Sequence, residues 1–447
     1  MDRWNRFGLP RRTVVALVGL IVSWSLQSSL GQAASPVQKT STREIKLKGL
    51  RVRLGQPVQV AAQLAWQEGP EGRWAFNHTT PSMAKFPTGE LLVTYTMVTD
   101  YNDNPRNLSG LQFSRDGGKT WGKRHDFLAE HQPMIYVPED DGSLVAIPAY
   151  LHKQTLHDDR NLQATYTRLE KGGRRVIIEP TGVRVTDWPW PMDSQWGFGF
   201  FGKDPIAGLY PPPTWIALCF DGGVVKIKDK WIASAYGLRK GYPRSENLVM
   251  VSEDRGRNWR YLSTIADGSG LPENAEGANE TALIQLEDGD LMAVFRVGSG
   301  KAWNLRKAYS KDGGRSWSKA EAIPPYSVEP SLLRISNGAL ALSTGRPGIR
   351  IWLSKDPRGQ EWQDIDIVDH HNRWAPDATY RIGSYEGSVH YAGGTGREQW
   401  QTSSYTEMVE IAPNRILLVY DRSAKPKPEN NGDLSRIFVL PIEVDRD

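Results

Sequence analysis

The sequence predicts an all-β fold, a six-bladed β-propeller. A polar turn of the form S-x-D-x-G-x-x-W recurs along the chain, a strand–turn–strand pattern recurs six times, and the two repeats interlock. Tight-turn and strand formers are plentiful, with 43 Gly, 29 Pro, 17 Trp and 16 Tyr in 447 residues, and no long apolar stripe has helical spacing.

The polar turn is filled by Ser114, Asp116, Gly118 and Trp121, then by Ser252, Asp254, Gly256 and Trp259, then by Ser310, Asp312, Gly314 and Trp317. A fourth copy, Ser354, Asp356, Gly359 and Trp362, carries one extra residue, and a worn copy lies in "YTRLEKGGRR". A short Asp or Ser side chain bonds backbone N–H groups of its own turn, Gly permits left-handed backbone, and Trp covers the turn with apolar surface. Those roles explain every residue, so the turn is expected to staple the outer strands of its own blade and to do no chemistry.

Six hairpins follow the second pattern, with turns near residues 89, 142, 230, 289, 338 and 415. Alternating or continuous apolar runs flank each turn, as buried strands require. Ser114, Ser252, Ser310 and Ser354 lie 25, 22, 21 and 16 residues after the hairpin positions 89, 230, 289 and 338. Each repeat is therefore a hairpin plus a third strand that ends in the polar turn. "RIFVLPIEV" supplies a late strand, and an N-terminal strand in "PVQVAAQLAW" is expected to complete the last blade and close the ring. No Pro-, Gly- or Ser-rich linker divides the chain, so residues 40–447 read as one domain.

Residues 1–34 read as an export signal. Arg3, Arg6, Arg11 and Arg12 precede the apolar "TVVALVGLIVSW" and the small-residue "SLGQAAS", with cleavage expected near Ala33 or Ala34. The protein is thus expected to be exported, periplasmic or extracellular, without stable membrane insertion after cleavage. The formal charge is +4, but the first 33 residues hold four arginines and one aspartate, so the remainder is close to neutral. That balance argues against nucleic acid as a partner. Cys219 is the only cysteine, so no intrachain disulfide forms and a large core must hold the fold. No His or Cys cluster has metal-ligand spacing, and neither a metal nor another cofactor is expected.

The repeated "SxDGGxxW" turns resemble the Asp-boxes of the sialidases and their relatives, which are six-bladed propellers. As architecture the resemblance covers nearly the whole chain after the signal. In "ANETALIQLEDGDLMAVFR", Glu280 and Arg296 match a family glutamate just before a hairpin and an arginine just after it. Arg346 in "LALSTGRPGIRIWLSKD" matches a second family arginine, with Arg350 as its competitor, and Tyr405 in "SSYTEMVEIAPNRILLVYD" matches the nucleophile segment. Asp103, with Asp100 as understudy, occupies the place of the acid/base aspartate upstream of the first box. One departure stands out: where the family presents an arginine before Ile-Pro, this chain has Thr79 and Thr80 before Pro81, and His78 or Arg106 are the nearest stand-ins.

The resemblance implies an exo-glycosidase that releases a terminal sialic acid or related acidic sugar from a glycan. Guanidiniums would hold the sugar carboxylate by paired, charge-assisted bonds. A neutral tyrosine, unlike a carboxylate nucleophile, is not repelled by that charge, and Glu280 would take its proton while Asp103 served the leaving oxygen. Two other functions fit the same pocket. One is a lyase acting on uronate polymers through His78, Tyr405 and Arg296; the other is a glycan-binding propeller without turnover.

Overall fold

The computed structural model describes residues 42–447 apart from 63–66, 70–71, 75–78, 97–108, 128–132, 154–161, 172–175, 187–214, 240, 274, 299–302, 327, 384–401 and 423–434. The compact unit runs Ser41–Asp447. The export signal and the worn copy's residues 172–175 lie outside the described residues.

Six antiparallel blades follow one another along the chain. The first is Thr79–Lys85, Leu91–Thr96, Ser109–Ser114 and His125–Phe127. The second is Pro133–Pro138, Leu144–Pro148, Leu162–Leu169 and Val176–Thr186, and the third is Trp215–Ile227, Lys230–Leu238, Ser245–Ser252 and Asn258–Ala266. These two are continuous, because Tyr150–Lys153 pairs with a strand of each. The fourth is Asn279–Gln285, Leu291–Arg296, Asn304–Ser310 and Glu321–Tyr326, and the fifth is Val328–Arg334, Leu340–Gly345, Ile349–Ser354 and Gln363–Asp366. The sixth joins the two ends of the unit: Glu407–Ala412, Arg415–Arg422 and Arg436–Arg446 are completed by Val58–Ala62, which pairs with Arg436–Arg446. The expected N-terminal closing strand is thus in place. A further hairpin that the sequence reading did not anticipate, Arg43–Leu47 with Leu50–Leu54, extends the far end of Arg436–Arg446.

The second strand of each blade shows why apolar runs are continuous here. Successive side chains of a strand point to opposite faces, and both faces are covered. Leu91, Val93 and Tyr95 pack against the sixth blade, whereas Leu92 packs against the second. Leu291, Ala293 and Phe295 face the third blade, and Met292 and Val294 face the fifth. Ile416, Leu418 and Tyr420 face the fifth blade, and Leu417 and Val419 face the first. With the remaining cluster between the second and third blades, every interface of the ring has its own core.

The polar turns form as their residue types dictate. Ser114 Oγ donates to Asp116 Oδ1 (2.9 Å) and accepts from Gly118 N (2.9 Å), while Asp116 Oδ1 accepts from Lys119 N (3.0 Å) and Thr120 N (2.9 Å). Those donors, the Thr120 hydroxyl first, hold the Asp116 carboxyl at about 2, and the same arrangement led by Ser316 does so at Asp312. The turns do more than staple their own blades. Trp121 lies among side chains of the sixth blade, Trp317 among those of the third and Trp362 among those of the fourth, so each docks onto the preceding blade. Ser263 Oγ of the third blade donates to Gly314 O (2.5 Å) and accepts from Trp317 Nε1 (3.2 Å). Gly118, at φ +86, would place a Cβ 2.6 Å from Leu417 Cδ2, so the close docking as well as the backbone requires glycine there.

After the fifth blade comes a helix that the sequence pattern did not reveal, Ile367–Trp374. Asp366 caps it by accepting from Asp369 N (2.9 Å). It is too short for a clear stripe, and no helix among the described residues is long and apolar enough to cross a membrane. His371 is fully buried against Trp374, Tyr420 and Phe438, bonded to Tyr420 Oη (2.8 Å) and Tyr380 O (2.8 Å). Burial pushes its pKa from 6.5 down to about 4, against the pull of the Tyr380 carbonyl. The folded protein keeps it neutral while the unfolded chain takes up a proton. Its stabilisation is therefore complete above about pH 6.5 and is lost as pH falls towards 4, by roughly 3 kcal/mol. Urea unfolding at several pH values should show that decline, and a His371→Gln variant, weaker at neutral pH, should show a shallower one.

Candidate active site

Strand register alone places the candidate residues at one end of the ring. Asn279 pairs with Arg296, so Glu280 and Arg296 lie together where the fourth blade's innermost strand begins. Val328 pairs with Gly345, which brings Arg346 to the same level on the fifth blade. Tyr405 stands just before the sixth blade's innermost strand, Glu407–Ala412. The six hairpin turns close the opposite end.

A local irregularity aims these side chains. The innermost strands of the first, fourth and fifth blades each carry one extra residue near their start, between Thr79 and Ser82, Asn279 and Thr281, and Val328 and Ser331. The inserted positions adopt left-handed backbone: Thr80 φ 46°, Glu280 φ 30° and Glu329 φ 44°. Arg346 (φ 50°) and Ser404 (φ 67°) do the same. Such conformations cost about 1–3 kcal/mol each for non-glycine residues and persist where the surroundings over-determine them. Here Asp421, fully buried on Arg415–Arg422, accepts from Thr402 Oγ1 (2.8 Å) and Ser403 N (2.9 Å). Thr406 Oγ1 bonds Ser343 Oγ (2.7 Å) on the fifth blade. Tyr405 is held between these two anchors.

The centre of the site is Glu280. Its Oε1 accepts from Tyr405 Oη (2.6 Å) and from Arg296 Nη1 (2.7 Å), and its Oε2 accepts from Glu329 N (2.9 Å). Arg296 also pairs through Nη2 with Glu276 (2.7 Å) and donates from Nε to Gly298 O (3.2 Å). The Arg346 guanidinium stands 5.5 Å from the centre of the Tyr405 ring. Burial alone would raise the Glu280 carboxyl, but Arg296, the Tyr405 hydroxyl and Arg346 outweigh it and hold the group below the usual carboxylate range. Burial, and then the Glu280 charge, push the Tyr405 phenol well above 10. The resting state is thus an ionised carboxylate accepting from a protonated phenol. That is the starting arrangement of a nucleophile with its base.

Of the residues singled out in the sequence, the structure brings Tyr405, Glu280, Arg296 and Arg346 together. Asp103, Asp100, His78 and Arg106 lie outside the described residues. Arg350 is paired with Asp364 and Asp366 on its own blade, away from Glu280. At the first blade, where the resemblance leads one to look for an arginine, Thr80 donates from N to Ser403 Oγ (3.3 Å) and from its hydroxyl to Thr96 (3.0 Å). The sequence reading missed three carboxyls nearby, the buried Asp221 and Glu329 and the half-buried Glu407. Their signals were "CFDGG" and "VEPS", where an acid meets the Gly-Gly or Pro that opens an innermost strand, and "TEM" two residues after Tyr405. A cavity of about 620 Å³ runs along the axis beneath the site, past Glu329, Ser331, Glu407 and Tyr136.

The comparisons agree with this architecture. Residues 225–409 match the BNR repeat-like domain. A sialidase of Micromonospora viridifaciens is 24% identical over 392 residues, which are 79% of this chain and 54% of that protein, so the chain spans about half the length of that relative. Among solved structures, a protein of unknown function from Dyadobacter fermentans has TM-score 0.56 at 18% identity, covering 89% of this chain and 100% of its own. An alpha-L-arabinanase of Penicillium chrysogenum, complexed with arabinobiose, has TM-score 0.52 at 14% identity, covering 87% and 98%. A Hadza microbial sialidase has TM-score 0.50 at 14% identity, covering 83% and 66%. The chain is thus a six-bladed β-propeller whose architecture is like that of sialidases, with a BNR repeat-like segment over residues 225–409.

The buried charges make the site sensitive to loss of one partner. Arg296→Met would leave Glu280 buried without its main counter-charge, at a cost of about 3–5 kcal/mol near neutral pH. Because protonation then relieves the carboxyl, the loss in urea unfolding should shrink as the solution is made acidic.

Proposed function

We propose that this protein is a retaining exo-glycoside hydrolase of the sialidase type, acting on a glycan that ends in sialic acid or a related acidic sugar. The 2.6 Å hydrogen bond from Tyr405 Oη to Glu280 Oε1 carries the reading, with the Arg296 and Arg346 guanidiniums beside it. The lowered Glu280 and raised Tyr405 support it, because base and nucleophile start in the required protonation states.

In the first step Tyr405 Oη forms a bond to the anomeric carbon as the bond to the leaving oxygen breaks. The phenol proton passes to Glu280 Oε1, and the leaving oxygen receives a proton from the acid/base residue, a role proposed for Asp103. In the second step water, relieved of its proton by that aspartate, displaces the tyrosine, which recovers its own proton from Glu280. Configuration is retained because there are two displacements. A carboxylate on the sugar would be met by Arg346 and Arg296, and Thr80 stands at the first blade where the resemblance leads one to look for a third arginine. Export from the cell, expected from residues 1–34, belongs to the same proposal.

Tyr405→Phe should lower kcat on an aryl glycoside by at least about 100-fold, with a smaller effect on KM. Glu280→Gln should lower kcat by about 100- to 10,000-fold. Wild-type enzyme should keep a residual plateau of activity at acidic pH, because Glu280 is held below the usual carboxylate range and stays ionised there. A panel of aryl sialosides, uronides and neutral pyranosides and furanosides, read by release of the aryl group, checks all three. A Tyr405→Phe enzyme as active as wild type rules out the mechanism. Turnover confined to neutral sugars rules out the acidic substrate, and an unsaturated product from a uronate polymer points to elimination instead.

A further inference from the structure

Two carboxyls directly beside Glu280 have no part in the two-step displacement. Asp221 begins the inward part of the third blade's innermost strand, and Glu329 opens that of the fifth. Both are more than nine-tenths buried. Their carboxyls bear directly on one another across the start of the fourth blade, and two carboxyls in such contact are held together by a proton between them. Each is fixed by its backbone. Asp221 accepts from Gly222 N (2.8 Å), and its carbonyl accepts from Ser234 Oγ (2.7 Å), which also donates to Thr281 O (3.0 Å) beside Glu280. A Cβ on Gly222 would lie 1.8 Å from that Thr281 carbonyl, so the Asp221 turn is pressed against the fourth blade. Glu329 is tied to Glu280 by its own N–H (2.9 Å), in a left-handed conformation that turns its side chain back towards the axis.

We propose that Asp221 and Glu329 form one proton-sharing carboxyl pair that positions Glu280 electrostatically, adding a single negative charge beside the base of Tyr405 when the pair loses one of its two protons. Both are positioning residues that act through Glu280. Burial, then the Glu280 charge, raises Asp221 to about 7, and burial, then Asp221, raises Glu329 well above the usual range. The second proton is therefore kept by Glu329, and ionisation near neutrality belongs to Asp221. Arg296 from its own blade, Tyr405 from the sixth and Arg346 from the fifth bear on Glu280 from the other sides, and Glu407 adds its charge to Asp221 and Glu329. A carboxylate that gains a like-charged neighbour becomes a stronger proton acceptor. Loss of the pair's proton thus strengthens Glu280 as the acceptor of the Tyr405 proton.

This inference rests on the reading of Glu280 as a base only for its catalytic consequence; the pair itself is read without turnover. Infrared titration of the intact protein across neutral pH should show a protonated carboxyl lost with a midpoint of about 7. Glu407, which burial also raises to about 7, contributes a separate loss that Glu407→Gln identifies. The Asp221 step should vanish when Asp221→Asn and Glu329→Gln are combined. In Glu280→Gln it should move to lower pH by about one unit, because the coupling is reciprocal. Glu329→Gln gives a second reading if that variant does not fold: the amide still donates to Asp221, so the step should remain, at or below the wild-type midpoint. A step that persists when Asp221→Asn and Glu329→Gln are combined, a Glu280→Gln midpoint that does not move, or a Glu329→Gln step displaced upward overturns the proposal. A protein that shows the coupled steps but hydrolyses no glycoside defeats the assigned reaction and not the pair. In an active enzyme, kcat should rise through the Asp221 step, and Asp221→Asn should flatten that rise; a merely structural role would lower kcat equally at every pH.

Discussion

Every blade of this protein is apolar on both faces, and a sheet of that kind is stable only when each face meets another. In the second strands, Leu291, Ala293 and Phe295 turn to one neighbour while Met292 and Val294 turn to the other, and the same division recurs around the ring. A linear array would leave the two end faces in water. Closing the ring removes them, and the closure is made by chain ends that are far apart in sequence: Val58–Ala62 lies in register on Arg436–Arg446. The polar turns serve the same constraint. Their aspartates organise the backbone locally, and their tryptophans carry apolar surface across to the preceding blade.

Ring closure also makes the site. Six innermost strands start at one level around an axis, so residues that open them become neighbours whatever their separation in sequence. Tyr405 and Glu280 are 125 residues apart and share a 2.6 Å hydrogen bond. The cost is considerable. Several non-glycine residues sit in left-handed backbone, and three carboxyls and two guanidiniums are withdrawn from water within a few side-chain lengths. The structure offsets it by sharing: Arg296 serves both Glu280 and Glu276, and Glu280 takes three donors from three blades. Asp221 and Glu329 escape double ionisation by holding a proton between them.

Comparison with the sequence reading shows which signals travel. The hairpin turns are local events, and the expected positions agree with glycines or asparagine in left-handed backbone at Gly89, Gly142, Gly289, Gly338 and Asn414; the third turn falls at Lys228, two residues early. Strand alternation is likewise local. The helix Ile367–Trp374 escaped notice because eight residues are too few for a periodic pattern, and its stability comes from His371 and its aromatic neighbours rather than from propensity. The polar turn's second role was hidden for a different reason. Its own residues explain its shape completely, so nothing within it announced that Trp317 would reach Ser263 on another blade.

The sequence by itself determined the number of blades, the position of their turns, the two-sided burial of their strands and, through resemblance, four residues that meet at one end of the ring. Those properties reside in periodicity and turn chemistry, which act over a few residues. Only the tertiary structure decided that Arg296 is shared between two glutamates, that Thr80 and Ser403 meet where a third guanidinium was sought, and that Asp221 and Glu329 touch across the fourth blade. Such contacts depend on the angle and spacing between blades. Those are set by the packing of whole faces rather than by any short stretch of chain.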